Sequence, residues 1–148
     1  MKYSPILLLF FLITCQTYSP WKSEWKQKDG IEVFYAAVSA KASAQAIESG
    51  SLAMRRTTCV NATNLLSTSP KLTNILLEQE SVELTETEMK DLARLISAHK
   101  IKPKQDSCQS EEGGFFLSSP AWENCQCLYT IEYPGGRAQF RKDLVQVK

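Results

Sequence analysis

The chain has 148 residues, 43% of them hydrophobic, which suits one packed domain and leaves little room for a second. Its 17 basic and 16 acidic residues give a formal net charge of +1, and removing Lys2 with an N-terminal leader makes the balance 16 against 16. Nucleic-acid binders carry a basic excess, so nucleic acid is not an expected partner.

The first element is Ile6 to Ile13, an unbroken apolar run directly after Lys2, Tyr3, Ser4 and Pro5. A membrane-crossing helix needs about 20 apolar residues, and this run has fewer than half. A charged residue followed by a short apolar run at the extreme N-terminus has the form of a secretory signal.

At the end of the run, Leu12-Ile13-Thr14-Cys15 resembles the lipobox of bacterial lipoproteins. Thr14 stands where Gly, Ala or Ser is usual, a departure that the looser spirochaete type shares. The resemblance implies a signal peptide over residues 1–14, cleavage before Cys15, a diacylglycerol on its thiol and a fatty acid such as palmitate on its new amine. Residues 15–30 then form a lipidated tether. Gln16 is not the aspartate that retains many lipoproteins in the inner membrane, which implies the outer membrane. The competing reading is an ordinary secretory signal in which Cys15 is incidental.

The tether holds Trp21 and Trp25 among Lys22, Lys26 and Lys28. On a helical turn these make an aromatic face beside a basic one, suited to lipid headgroups. Alternatively, one tryptophan packs against the edge of the domain.

A single domain is expected over residues 31–148. Ile31 to Tyr35 has the β-branched and aromatic content of a strand. The alanine-rich stretch Ala36 to Leu66 then predicts one long helix, with Val38, Ala42, Ala46, Ser49, Ala53 and Val60 near one stripe. Gly50 is the point at which it could divide. Beyond Pro70, Lys71 to Glu80 is a weak helix. Thr85 to Glu88 fits a capping box opening a helix whose apolar face is Met89, Leu92, Ala93 and Ile96. His99, Lys100, Lys102 and Lys104 gather where a helix C-terminus favours cations. Glu78, Glu80, Glu83, Glu86, Glu88 and Asp91 lack a calcium-loop pattern and read as a solvated face.

Asp106 to Pro120 reads as loop, with Gly113-Gly114 inside it. Cys125, Cys127, Tyr129, Ile131 and Tyr133 alternate on one face of a strand, Pro134-Gly135-Gly136 is a turn, and Arg137 to Val145 is expected to return as a hairpin partner. The class is α+β: a long Ala-rich helix and shorter helices packed on a small antiparallel sheet ending in a β-hairpin. Tyr35 to Ala40, Ala53 to Arg56 and the late "CQCLYTIEYPGG" resemble small outer-membrane lipoproteins with an Ala-rich helix, which implies an envelope role and no catalytic residues.

With Cys15 lipidated, Cys59, Cys108, Cys125 and Cys127 remain. An even count in an exported chain reads as two disulfides with three possible connectivities, against free thiols or a four-thiolate zinc site that Cys125-Gln126-Cys127 spaces poorly. Residues two apart on one strand face hold their Cβ atoms too far apart to bridge. Cys125 and Cys127 should therefore pair with Cys59 and Cys108, one bridge pinning helix to sheet and the other tying loop to strand.

No metal site, cofactor or catalytic motif is expected. His99, the only histidine, reads as a capping or solvent-facing side chain. Glu123 and Glu132 are the carboxylates that could serve a cleft, with nothing to single them out. The expected function is a membrane-anchored envelope lipoprotein, non-catalytic, with a structural or protein-interaction role. Its partners are membrane lipid through acylated Cys15 and an envelope protein. The alternative is a surface-exposed binding module, adhesin-like or binding a small ligand.

Overall fold

Alternation, not alanine content, decides the first half of the domain. In the computed structural model, which describes residues 19–66, 69–112 and 121–148, strand β1 spans Glu24–Lys28 and strand β2 spans Ile31–Lys41. β2 buries Phe34, Ala36 and Val38 on one face, so the long helix expected from Ala36 is corrected: Ala36–Lys41 is extended chain. Helix propensity favours alanine by only tenths of a kcal/mol per residue. Against that, β2 is paired with β1 on one side and with strand β4 (Asn124–Ile131) on the other, which satisfies its backbone groups on both edges.

The rest of the alanine-rich stretch is cut in two. Helix α1 (Ala44–Glu48) is capped by Ser43, whose Oγ accepts from the Ala46 amide at 3.2 Å. Gly50 then takes φ +67°, a left-handed conformation that ends the helical path, and α2 (Leu52–Leu66) starts beyond it. α2 lies across β2 and β4, and the small side chains of Ala36 and Ala40 keep the strand beneath it low.

Helix α3 covers Ser69–Glu80 and α4 covers Glu86–Ala98. The expected capping box opens α4: the Glu88 carboxylate accepts from the Thr85 amide at 2.7 Å and Thr85 Oγ1 accepts from the Glu88 amide at 3.4 Å. A further strand, β3 (Lys104–Ser110), occupies the start of the expected loop and pairs with β4 in the register Cys108 to Cys127, with an irregularity between Gln105 and Ser107. All pairings are antiparallel and the sheet order is β1-β2-β4-β3. The fold is α+β. Gly113-Gly114 lies outside the described residues.

The expected terminal hairpin is also corrected. Arg137–Val145 belongs to helix α5, Gly136–Val147. Phe140 and Leu144, four apart, are both buried with Gly136 and Asp143, whereas strand alternation would have put Lys142 beside them in the core. Gly136 has φ +64°, and a Cβ there would lie 2.9 Å from the Glu32 Cβ on β2. This close approach lets Glu32 Oε2 accept from the Arg137 amide at 3.1 Å, filling the role of the missing N-cap side chain.

The inner face of the sheet carries the core: Phe34, Ala36, Val38, Cys127, Tyr129 and Ile131 meet Leu72, Leu76, Leu77, Leu92, Ile96, Phe140 and Leu144 from the helices. Folded chain also begins earlier than the expected boundary at Ile31. β1 falls inside the span expected as tether, and Trp25 packs inward, its ring 5.1 Å from Phe34 and 6.1 Å from Phe140. A helical Trp21–Trp25 face is thereby replaced by a strand. Among the described residues no helix is long and apolar enough to cross a membrane.

Candidate functional site

The four cysteines of the domain pair with one another. Cys59 on α2 is bonded to Cys125 on β4, with Cα atoms 6.1 Å apart, and Cys108 on β3 is bonded to Cys127 on β4, with Cα atoms 4.1 Å apart. Cys125 and Cys127 share the inner face of β4, and each reaches away from the other, one to the helix layer and one to the neighbouring strand. Residues 1–18, Cys15 and the span expected as a signal peptide among them, lie outside the described residues.

On the opposite, outer face the chain entering the domain is laid across the sheet. Gln109 Nε2 on β3 donates to the Ser19 carbonyl at 3.1 Å. Gln126 on β4 then clamps both backbone groups of Trp21, its Oε1 accepting from the amide at 2.7 Å and its Nε2 donating to the carbonyl at 3.1 Å. Ser23 Oγ accepts from the Ala37 amide on β2 at 3.0 Å, and the chain passes into β1 at Glu24. Residues 19–23 thus form a strap crossing β3, β4 and β2 in spatial order. A side-chain amide offers a donor and an acceptor together, so one glutamine can substitute for a strand neighbour. Its burial to 7% exposure follows from this cover.

A buried carboxylate organises the other end of β4. The Asp143 side chain is 4% exposed. Its Oδ2 accepts from the Tyr133 hydroxyl at 2.5 Å and lies 3.4 Å from His99 Nε2, and its Oδ1 accepts from Gln139 Nε2 at 2.8 Å. Burial pushes this carboxyl up, but the hydrogen bonds from Tyr133, Gln139 and His99 outweigh it and hold it below its ordinary value. The Tyr133 phenol is pushed far up by burial and by donating to that carboxylate.

His99 is the C-cap residue of α4, and its ring meets Tyr133 edge-on, with centroids 5.4 Å apart. A histidine held to a carboxylate is half of an acid–base apparatus; catalysis also needs a nucleophile or substrate group within hydrogen-bond reach. The ring's partners here are Asp143 and Tyr133. The cluster joins α4, α5 and the end of β4.

Glu123 and Glu132 do not come together. They flank β4, nine residues apart, roughly 30 Å along an extended strand, with Glu123 3.5 Å from Arg55 Nη1 and Glu132 exposed. Of the acidic group read as a solvated face, Glu80 is corrected. Its side chain is 3% exposed and receives Arg137 Nε at 2.6 Å and Arg141 Nε at 2.8 Å, tying α3 to α5. Glu112, which no sequence motif marks, accepts from Ser110 Oγ and from the amides of Glu123 and Asn124. Polar residues in a loop give no signal of such convergence. Among the described residues no group of three or more His, Cys, Asp or Glu is placed to hold a metal ion.

No family model, curated protein or solved structure matches the chain.

Proposed function

We propose that this protein is an envelope lipoprotein, anchored in the outer membrane through acylated Cys15, with a structural or protein-interaction role and no catalytic one. The observation that carries this is a cysteine left over. The chain has five, and Cys59, Cys125, Cys108 and Cys127 consume one another. Cys15 therefore has no partner for an internal bridge, and it stands directly after Leu12-Ile13-Thr14 at the end of a short apolar leader. Two disulfides also suit an exported chain, because reducing compartments keep thiols free.

The inputs to catalysis are thin. His99 Nε2 and the Tyr133 hydroxyl are both directed at the Asp143 carboxylate, which supports a clamp between elements over a reaction centre.

The test is Cys15→Ser. Two or three acyl chains anchor stably, at about 0.8 kcal/mol per buried methylene, so the wild-type protein should partition into the detergent phase. The variant should appear in the aqueous phase or retain its leader. An intact mass showing unmodified Cys15 in the mature wild-type protein refutes the proposal. Protease shaving of intact cells then separates a periplasmic domain from a surface-exposed one.

A further inference from the structure

We infer that the strap fixes the domain flat against the membrane, with the outer face of the sheet and the β3 edge at the lipid headgroups and the helical layer turned away. This rests on the proposed acylation of Cys15. The geometry comes from where the strap meets the sheet. Only Gln16, Thr17 and Tyr18 separate Cys15 from Ser19, and consecutive Cα atoms are 3.80 Å apart, so Ser19 cannot lie more than about 15 Å from the anchored residue. Ser19 does not hang from the domain by a loose end. It is bonded to Gln109 on β3, and two residues on Trp21 is clamped by both polar atoms of the Gln126 side chain.

A lipoprotein domain is commonly pictured at the end of a flexible tether, and residues 15–30 alone would permit that. Here the part of the tether from Ser19 onward is bound into the domain, first as strap and then as β1. Three residues lie between the anchored cysteine and the bound strap. The end of the sheet bearing Gln109 and Ser19 must then stay near the anchor, and the helices, which pack on the opposite face, point outward. Half-buried Trp21 and exposed Lys22 sit on the strap itself, a pairing suited to the headgroup layer. The occupant of this face is the lipid surface, and the side left for a protein partner is the helical one.

The experiment uses the full lipidated protein in vesicles of phosphatidylethanolamine and phosphatidylglycerol containing a headgroup-level nitroxide lipid. A fluorescent non-natural amino acid is placed at exposed Ser39 on β2, which lies opposite Gln126 on the outer face, or at exposed Glu78 on α3. The inference expects at least threefold stronger quenching at position 39. Inserting ten Gly/Ser residues between Tyr18 and Ser19 adds a flexible span of about 17 Å, and should bring quenching at 39 down towards that at 78 while the protein still floats with the vesicles.

Equal quenching at the two positions in the uninserted protein overturns the inference and leaves the anchor intact. So does position 39 becoming protected at rising protein density in the Cys15→Ser protein without vesicles, which assigns the face to a second copy. Failure to float, with an unmodified Cys15 by mass, overturns the anchor and the inference together.

Discussion

The Tyr133 hydroxyl donates to the Asp143 carboxylate at 2.5 Å, across the Gly135-Gly136 turn that carries the chain from β4 into α5. One buried ion thus decides where the last helix docks. His99 from α4 and Gln139 from α5 complete its shell. Asp143→Ala would leave the Tyr133 hydroxyl buried without its acceptor, a loss of about 3 kcal/mol in unfolding free energy. Urea denaturation with the disulfides intact measures it, and a cost below about 0.5 kcal/mol would show the cluster to be dispensable.

His99→Ala should cost much less. Its contact with Asp143 is long, 3.4 Å, and its side chain is 29% exposed, so about 1 kcal/mol is expected. Any cellular role of the protein should survive the change. An activity abolished by His99→Ala in folded protein would place chemistry at this cluster.

Acid should destabilise the fold by a defined route. Asp143, Glu80 and Glu112 all sit below their ordinary values. In each, burial pushes upward and is outweighed by hydrogen bonds: from Arg137 and Arg141 at Glu80, and from Ser110, Asn124 and Glu123 at Glu112. In the acid range the unfolded chain therefore holds more protons than the folded one, and stability rises with pH. The contribution is complete above the ordinary carboxylate values of 3.8 and 4.5 and is lost as pH falls through the depressed folded ones. Denaturation midpoints should fall from about pH 5 downward, and Asp143→Asn should flatten that slope. A midpoint independent of pH between about 5 and 2 would contradict the mechanism.

The two bridges should differ in weight. Cys59–Cys125 spans 66 residues of sequence and Cys108–Cys127 spans 19. In the chain-entropy model these correspond to about 4.3 and about 3.2 kcal/mol. Replacing Cys59 and Cys125 by alanine should lower Tm further than replacing Cys108 and Cys127. The reverse order, by calorimetry under non-reducing conditions, would assign the larger role to the strand pair.

Two glycines separate backbone conformation from crowding. Gly50 and Gly136 both adopt left-handed φ, +67° and +64°, but a Cβ at Gly50 meets nothing within 4 Å while one at Gly136 meets Glu32 at 2.9 Å. Gly50→Ala should cost about 1 kcal/mol, the left-handed penalty alone. Gly136→Ala should cost about 1–2 kcal/mol more, because α5 must move off β2. Equal costs would show that the contact relaxes freely.

What the sequence determined by itself was local or covalent. The capping box at Thr85 and Glu88 is closed by residues three apart, so its interactions travel with the sequence wherever the helix goes. The exclusion of a Cys125–Cys127 bridge follows from the two-residue strand period, and it narrows the partners of both before any tertiary contact is known. Tertiary structure decided the rest, because the deciding partner was distant. Ala36–Lys41 is extended because β4, some ninety residues on, pairs with it through Cys125 to Tyr129. Arg137–Val145 is helical because Phe140 and Leu144 find the core on one side while Asp143 finds Tyr133 and His99. β3 is a polar edge strand, without an apolar alternation to announce it, and its place is set by β4 and by Cys108. The strap shows the same limit: Ser19 to Ser23 reads as tether, and only glutamines 90 and 105 residues away turn it into part of the fold. A hydrogen bond supplied from that distance leaves no trace in the local pattern, since the residues that receive it are chosen by position alone.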